Sequence, residues 1–415
     1  MIKNSIIDKK SSWTILLIIL ISSFIVRVFI SGVIVGHNTD VGCFSYWAEQ
    51  VYKNGITNFY NGDYFCDYPP LYMYALWVVG FLRNVFDIPF TIAAHLVILK
   101  LPAVICDIVS AYFVYRIASS RFSEKSALII SAVMAFNLAA ILDSAAWGQV
   151  DSIMTLLIVL TGYFIVNDKI QLATVMYVLA VLFKPQAFIF APILIFAMIK
   201  KKSWKQLLLS MMWGILVFVG LLLPFAIKQD PLWIFDLYFG TMGEYAYATV
   251  NAYNWPALLN ANWTPDSAIF VGLSYKWWGY ISILLVCAFT TLGFIKGRNR
   301  AGFTFATAGI LITIVFTFAS KMHERYLFPS ILLVLLAFIY SKDKRFLYIH
   351  ILQSITVFAN CGYILYMNFT GESAIFNSYI AIVSAATVFT TLWYIKVYTQ
   401  LYILNRENIP TKYLT

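Results

Sequence analysis

DYPPLYMYALWVVGFLRNVF, residues 67–86, decides how the rest of this chain is threaded. Its apolar part, residues 71–86, resembles a membrane crossing, yet counting it as one puts every later cluster of basic residues on the wrong side of the bilayer. Cytoplasmic loops carry an excess of Lys and Arg, and that bias sets orientation. Residues 71–86 are therefore read as a helix lying in the membrane interface. Pro69 and Pro70 cannot continue a helix interior, and they restrict Tyr68, so the chain turns there before the helix begins. The aromatic residues Tyr68, Tyr72, Tyr74 and Trp77 suit headgroup level.

The remaining sequence agrees with a bilayer setting. Of 415 residues, 61% are hydrophobic and only 12% charged, too little charge to cover a soluble surface. Apolar runs of about 20 residues recur along the chain, the length of a helix that crosses a bilayer. A transmembrane barrel would show short alternating segments instead. With the N-terminus inside, spans are predicted near 12–35, 95–116, 126–142, 150–166, 170–183, 187–200, 206–226, 279–295, 302–319, 326–341, 346–366 and 375–395. The expectation is one all-α polytopic integral membrane domain over residues 1–415, with about twelve transmembrane helices and both termini cytoplasmic. Two long external loops follow from this, residues 36–94 with interfacial helices and residues 228–278. The start, MIKNSIIDKK, reads as the flank of an uncleaved first helix, because the apolar run after it is too long for a signal core. The net charge of +10 is carried by clusters such as Lys3, Lys9 and Lys10 or Lys200, Lys201 and Lys202 between apolar runs. It expresses topology, and no nucleic-acid partner is predicted.

The polar motifs gather on the external side: GHNTD (36–40), DYPP (67–70), WGQVD (147–151), FKPQ (183–186) and KMHERYLFP (321–329). An enzyme working at the outer leaflet would gather them so, whereas a transporter would spread polar groups along a midplane path. Asp40 opens an amphipathic stretch, DVGCFSYWAEQVY, and reads either as its N-cap or first-turn acid or as a general base for a hydroxyl. Asp67 is a second acid or the cap of the helix after it. Lys321, His323 and Arg325 lie together beside Glu324 and read as a phosphate site or as a snorkelling cluster at a helix end. Lys184 is a further candidate for the same anion, or a structural partner of Asp143 or Asp151. Gln149, Asp151, Gln186, Glu324 and Tyr68 belong to the same motifs and are candidate substrate contacts. Arg27, Lys100 and Asp107 are candidates for structural pairs within the first two spans. Cys43 and Cys66 share the first external loop and are candidates for a disulfide. Tyr245, Tyr247, Tyr253, Trp255 and Trp263 of the second loop would stack on a sugar or form part of an interfacial belt. Asn262 and Asn368 head glycosylation triplets, which arise often by chance. No His spacing suits a metal, and none is predicted.

In their order, an Asp after the first helix, DYPPLYMY, WGQVDS, FKPQAF and HERYLFP resemble the GT-C glycosyltransferases. The sequence is similar to the dolichyl-phosphate-glucose glucosyltransferases of the N-glycan pathway and to bacterial relatives of the GPI-anchor mannosyltransferases. The resemblance covers roughly residues 12–340. It implies an inverting transfer of mannose or glucose from a polyprenyl-phosphate-linked donor to a glycolipid, cell-wall glycan or protein acceptor. By position it implies Asp40 as base and His323 with Arg325 as donor contacts, Arg325 standing where those enzymes carry Lys. Some GT-C enzymes use an acid pair and a divalent metal, but here Val41 follows Asp40. The alternative expectation is a transporter or flippase of lipid-linked sugars. The Lys-, Ile- and Asn-rich composition favours a bacterial plasma membrane over the endoplasmic reticulum.

Overall fold

The computed structural model describes residues 9–406; Lys3 and the two chain ends assigned above to the cytoplasm lie outside the described residues. The chain opens with α1 (Lys9–Val33), α2 (Asn38–Asn54), a 3-10 turn over Ile56–Asn61 and α3 (Pro70–Val85). Next come α4 (Ala93–Ala118), α5 (Glu124–Ala135), the short α6 (Leu138–Ile141), α7 (Asp151–Val166) and α8 (Ile170–Phe183). A 3-10 turn over Pro185–Phe190 leads into α9 (Ala191–Lys201), then α10 (Trp204–Ala226), α11 (Trp233–Glu244) and α12 (Trp255–Leu258). A two-stranded antiparallel hairpin follows, β1 (Ile269–Phe270) and β2 (Leu273–Ser274), with Ile269 opposite Ser274. The chain closes with α13 (Tyr275–Gly297), α14 (Phe303–Phe318), α15 (Phe328–Ser341), α16 (Lys344–Thr370) and α17 (Ser378–Tyr398).

Every stretch predicted as a span coincides with helical structure to within a few residues. Among the described residues, seven helical segments are long and apolar enough to cross a membrane, and four shorter ones are apolar. The long helices show a lipid-facing side: Leu17, Ile18, Ile21, Ile25 and Phe29 of α1 are exposed, as are Leu208, Ile215, Leu216 and Leu223 of α10. So much exposed aliphatic surface is stable only against hydrocarbon, and the protein is a membrane-embedded α-helical one. The shorter α14 and α15 are buried almost all round, which is why they read as unbroken apolar runs without a polar face. Helix ends are set by local chemistry: the side chains of Ser123, Ser203, Ser274 and Asn377 each accept a backbone N–H of the first turn, satisfying donors that have no partner inside the helix.

Two buried polar clusters tie α1 and α4 to the segment after α5. Arg27 donates from Nε to Asp107 Oδ2 at 3.1 Å, and Ser144 and Ser152 each donate to the Asp107 carboxylate at 2.6 Å. This is the structural pair anticipated for these residues. Lys100 departs from that expectation, since it has no carboxylate partner among the described residues. Its ammonium instead donates to the carbonyls of Ile34 at 2.6 Å, Ala145 at 3.0 Å and Ala146 at 3.3 Å, satisfying acceptors left over at the ends of two helical segments. Asp107→Ala strands a buried guanidinium and is expected to cost about 3–5 kcal/mol, whereas Arg27→Met with Asp107→Leu removes both charges and strands only the serine hydroxyls, so it is expected to cost less, about 1–3 kcal/mol. Thermal unfolding of the two purified variants separates these outcomes, and equal destabilisation would contradict the pairing argument.

A second departure lies between α6 and α7. Residues 143–151, expected as an external turn, begin as a π-helical turn over Leu142–Trp147. Asn137 starts this segment by accepting the N–H groups of Ala139 and Ala140. The wide turn pulls Asp143 into the interior and aims Trp147 toward α2, and such turns are frequent at functional sites.

Candidate active site

Asp40 sits in the first turn of α2, but it does not cap that helix: the N-cap is His37, with no side-chain capping bond. Its carboxylate turns outward and accepts a hydrogen bond from Trp147 Nε1 at 2.7 Å. His37 stacks on the Trp147 ring at 4.8 Å, nearly coplanar, and its Nδ1 lies 3.4 Å from the same Asp40 oxygen. This contact needs Gly36, which takes φ +102° and lies so close to the Trp147 carbonyl that a Cβ would collide with it. Gly80 does the same for the α2–α3 crossing, where a Cβ would strike the Ala48 carbonyl.

Arg325 reaches Asp40 from the turn between α14 and α15. Its Nη2 is 3.9 Å from Asp40 Oδ1, its Nε 3.8 Å from Asp151 Oδ2, and its Nη1 2.5 Å from Glu324 Oε1. Lys184 holds the far oxygen of Asp151 at 2.6 Å. Residues 40, 151, 184 and 325 thus form one chain of alternating charge. Lys184 occupies the break between α8 and the following 3-10 turn, in extended conformation. Its pairing with Asp151 was one of the two readings open for it. The predicted cation group is therefore not a bare anion trap: Lys184 is already neutralised, and Arg325 is shared among three acids.

His323 is fixed by the segment between α11 and α13. Val250 N donates to Met322 O at 2.8 Å and Lys321 N to Tyr247 O at 2.9 Å, while Asn360 of α16 clamps the same loop through Tyr253 N and Asn251 O. Tyr245 packs edge-on against the His323 imidazole at 4.6 Å. Burial, and then the Arg325 charge, hold His323 well below its usual pKa, so it meets a ligand as a neutral imidazole with one N–H to give.

A cavity of about 520 Å³ opens beside these residues. Its lining combines charged and polar side chains, Asp67, Lys184, Lys276, Lys321, His323 and Arg325, with apolar ones, Phe188, Ile189, Phe239 and Ile283. Asp40 does not line it. Arg325 lines the cavity and also lies 3.9 Å from Asp40, whose side chain is 17% exposed.

Several expected substrate contacts are placed otherwise. Gln149 and Asp151 are wholly buried and Glu324 nearly so; they support rather than face the cavity, Gln149 by accepting the Tyr68 hydroxyl at 3.2 Å. Tyr68 and Gln186 do line the cavity, with Gln186 Nε2 donating to Tyr326 O at 3.0 Å. Of the second-loop aromatics, Tyr245 faces the cavity, while Tyr253 is buried against Tyr363 and Trp255 packs on Phe270 and Tyr275. Cys43 and Cys66 are free thiols; the Cys66 thiol points at the Tyr68 carbonyl, 3.8 Å away, instead of bridging. Trp147 and His37, the two residues in contact with the Asp40 carboxylate that the sequence reading missed, lie inside motifs it singled out. Nothing local marks a tryptophan as the donor to an acid 107 positions earlier.

Asp40 and Asp67 differ in proton affinity. Burial pushes the Asp40 carboxyl up, but Arg325, His37 and the Trp147 N–H together outweigh it, and the group stays below its usual value. Asp67 is not the cap of α3, whose N-cap is Pro69 with Pro70 in the first turn; the double proline starts the helix and leaves Asp67 free to face the cavity. Burial pushes Asp67 up to about 6, with Glu244 adding to the rise and its own backbone N–H and Arg325 opposing it. The folded value exceeds the ordinary 3.8, so folding favours protonated Asp67, and that stabilisation is lost as pH rises through about 6. Asp67→Asn, which imitates the protonated acid, is expected to stabilise the solubilised protein by roughly 1 kcal/mol above about pH 7, after allowance for screening at a partly exposed group. The gain should fade toward about pH 4. Thermal midpoints across this range test it, and a gain independent of pH would contradict the titration.

No protein-family model matches the chain, and no curated protein matches it.

Proposed function

We propose that the chain is a membrane-embedded hexosyltransferase of the GT-C kind. In this reading it transfers mannose or glucose, with inversion, from a polyprenyl-phosphate-linked donor to a glycolipid, cell-wall glycan or protein acceptor at the external face of a bacterial plasma membrane. Twelve helical crossings, cytoplasmic termini, and α2 and α3 lying at the outer interface belong to the same proposal. One observation carries it: Arg325, whose guanidinium lies 3.9 Å from the Asp40 carboxylate, also lines a cavity whose walls carry further cations together with apolar side chains. An amphiphile with a phosphate head and a hydrocarbon tail fits such a cavity.

The donor phosphate would sit against Arg325 and His323, in a cavity that Lys276 and Lys321 also line, and its first isoprene units along Phe188, Phe239 and Ile283. The acceptor hydroxyl would approach from the Asp40 side. Its oxygen attacks the anomeric carbon as Asp40 takes its proton; the bond from that carbon to the phosphate oxygen breaks, and the electron pair leaves on the phosphate. A phosphate leaving group needs cations rather than a proton donor, and fixed cations in a partly desolvated site act strongly on developing charge. The shared guanidinium also couples binding to chemistry. At rest Arg325 lowers the basicity of Asp40; a phosphate that draws charge from Arg325 restores it, so the base strengthens when the donor is present.

A flippase of lipid-linked sugars would use the same phosphate-binding cavity without cleaving its cargo. Purified protein given a labelled polyprenyl-phosphate hexose and crude envelope glycan should transfer the label and release free polyprenyl phosphate in equal amount. Movement of intact donor across vesicles with no release would overturn the transferase reading.

A further inference from the structure

A second cavity, of about 600 Å³, lies at the opposite end of the bundle. The helices fix this placement. α7 begins at Asp151 in the site above and ends at Val166 beside the second cavity, roughly 24 Å away at 1.5 Å per residue. α13 runs from Lys276 at the first cavity to Arg298 at the second, and α14 returns from Phe303 to Ala319.

The second cavity is lined by Arg121, Lys200, Lys201, Arg298 and Arg300, and among the described residues its one acid is Asp168, which pairs with Lys201 at 2.5 Å. Loop cations that merely obey the topological charge bias extend into water, but two of these arginines are held by rings. The Arg121 guanidinium lies 4.0 Å over Tyr340 and that of Arg298 lies 5.2 Å from Phe294. Arg121 Nε is shielded from solvent and has no hydrogen-bond partner among the described residues. The N-terminus of α14 opens onto the same space, with Gly302 as N-cap at φ 78° and no side-chain cap. A helix N-terminus adds a partial positive charge and backbone donors suited to an anion.

We infer that this cavity binds a phosphate-bearing anion, with Arg121 and Arg298 as its principal contacts. The inference does not rest on the transferase reading. The volume falls within the range of about 300–1,000 Å³ typical of ligand sites, larger than a single phosphate requires, and points to a lipid phosphodiester headgroup or a soluble diphosphate. Basic pockets between membrane helices are known to take such headgroups.

The experiment reads the thermal midpoint of the full-length protein in nanodiscs. One arm replaces part of a phosphatidylcholine bilayer with phosphatidylglycerol; the other adds inorganic pyrophosphate to pure phosphatidylcholine discs. Stabilisation in one arm identifies the source as lipid or soluble. Arg121→Gln with Arg298→Gln should weaken the effective arm at least about tenfold in apparent affinity. Lys125→Gln with Lys205→Gln, which removes the same charge from exposed positions outside the cavity, should leave it unchanged. Arg298→Gln alone, at an exposed residue, provides the test should the double variant fold poorly. Absence of stabilisation in both arms, or an equal loss in the Lys125 and Lys205 pair, would overturn the inference.

Discussion

Asp40→Asn is expected to lower kcat for hexose transfer about 10²–10⁴-fold, the usual contribution of a positioned general base, while donor affinity stays within a few-fold of the unmodified protein. The separation follows from geometry, because Asp40 does not line the donor cavity. Asn can still accept the Trp147 N–H that Asp40 accepts at 2.7 Å, so the local fold should persist. Asp67 supplies the control. It lines the cavity and, with a pKa of about 6, is tuned closer to neutral pH than Asp40. If Asp67→Asn abolishes turnover and Asp40→Asn does not, the base is Asp67 and the assignment of Asp40 is wrong. Rates and donor binding measured on both variants decide between them.

Arg325→Ala is expected to act twice. Its removal leaves Asp40, Asp151 and Glu324 without the cation that all three share. An uncompensated buried carboxylate group of this kind costs about 3–5 kcal/mol of stability, although protonation of one acid would relieve part of it. The same change removes the central phosphate contact, and loss of charge-assisted hydrogen bonds should weaken binding of free polyprenyl phosphate about 10–100-fold. Arg325→Lys keeps the charge but not the fork of donors, so it should recover most of the stability and less of the affinity. Unfolding and polyprenyl-phosphate titration of the two variants check both halves. Unchanged affinity in a folded Arg325→Ala protein would remove Arg325 from the donor site.

The helices were legible because apolar runs of bilayer length announce themselves in sequence, and because Pro69 and Pro70 marked where residues 71–86 begin. Arg27 and Asp107 were legible as partners because isolated charges inside apolar runs must be paired. The meeting of Asp40 with Arg325 was legible only as an ordered series of motifs. Its partners were not: Trp147 and His37 find Asp40 through a π-helical turn that has no sequence signature. Asp67 stayed open between a cap and a second acid, because an acid ahead of a helix looks the same whether it faces the helix end or a cavity. Gln149 and Asp151 read as candidate substrate contacts because a polar motif says nothing of depth. Lys276 at the mouth of the cavity carried no signal, being one cation among the aromatics that open α13.

The most direct test is a structure of the Asp40→Asn protein, which should bind donor without consuming it, in complex with a polyprenyl-phosphate hexose. The account predicts the phosphate within hydrogen-bond distance of Arg325, the prenyl chain along Phe188, Phe239 and Ile283, and the anomeric carbon on the side that faces residue 40. A phosphate bound away from Arg325, or a sugar turned from residue 40 with no path for an acceptor between them, would contradict it.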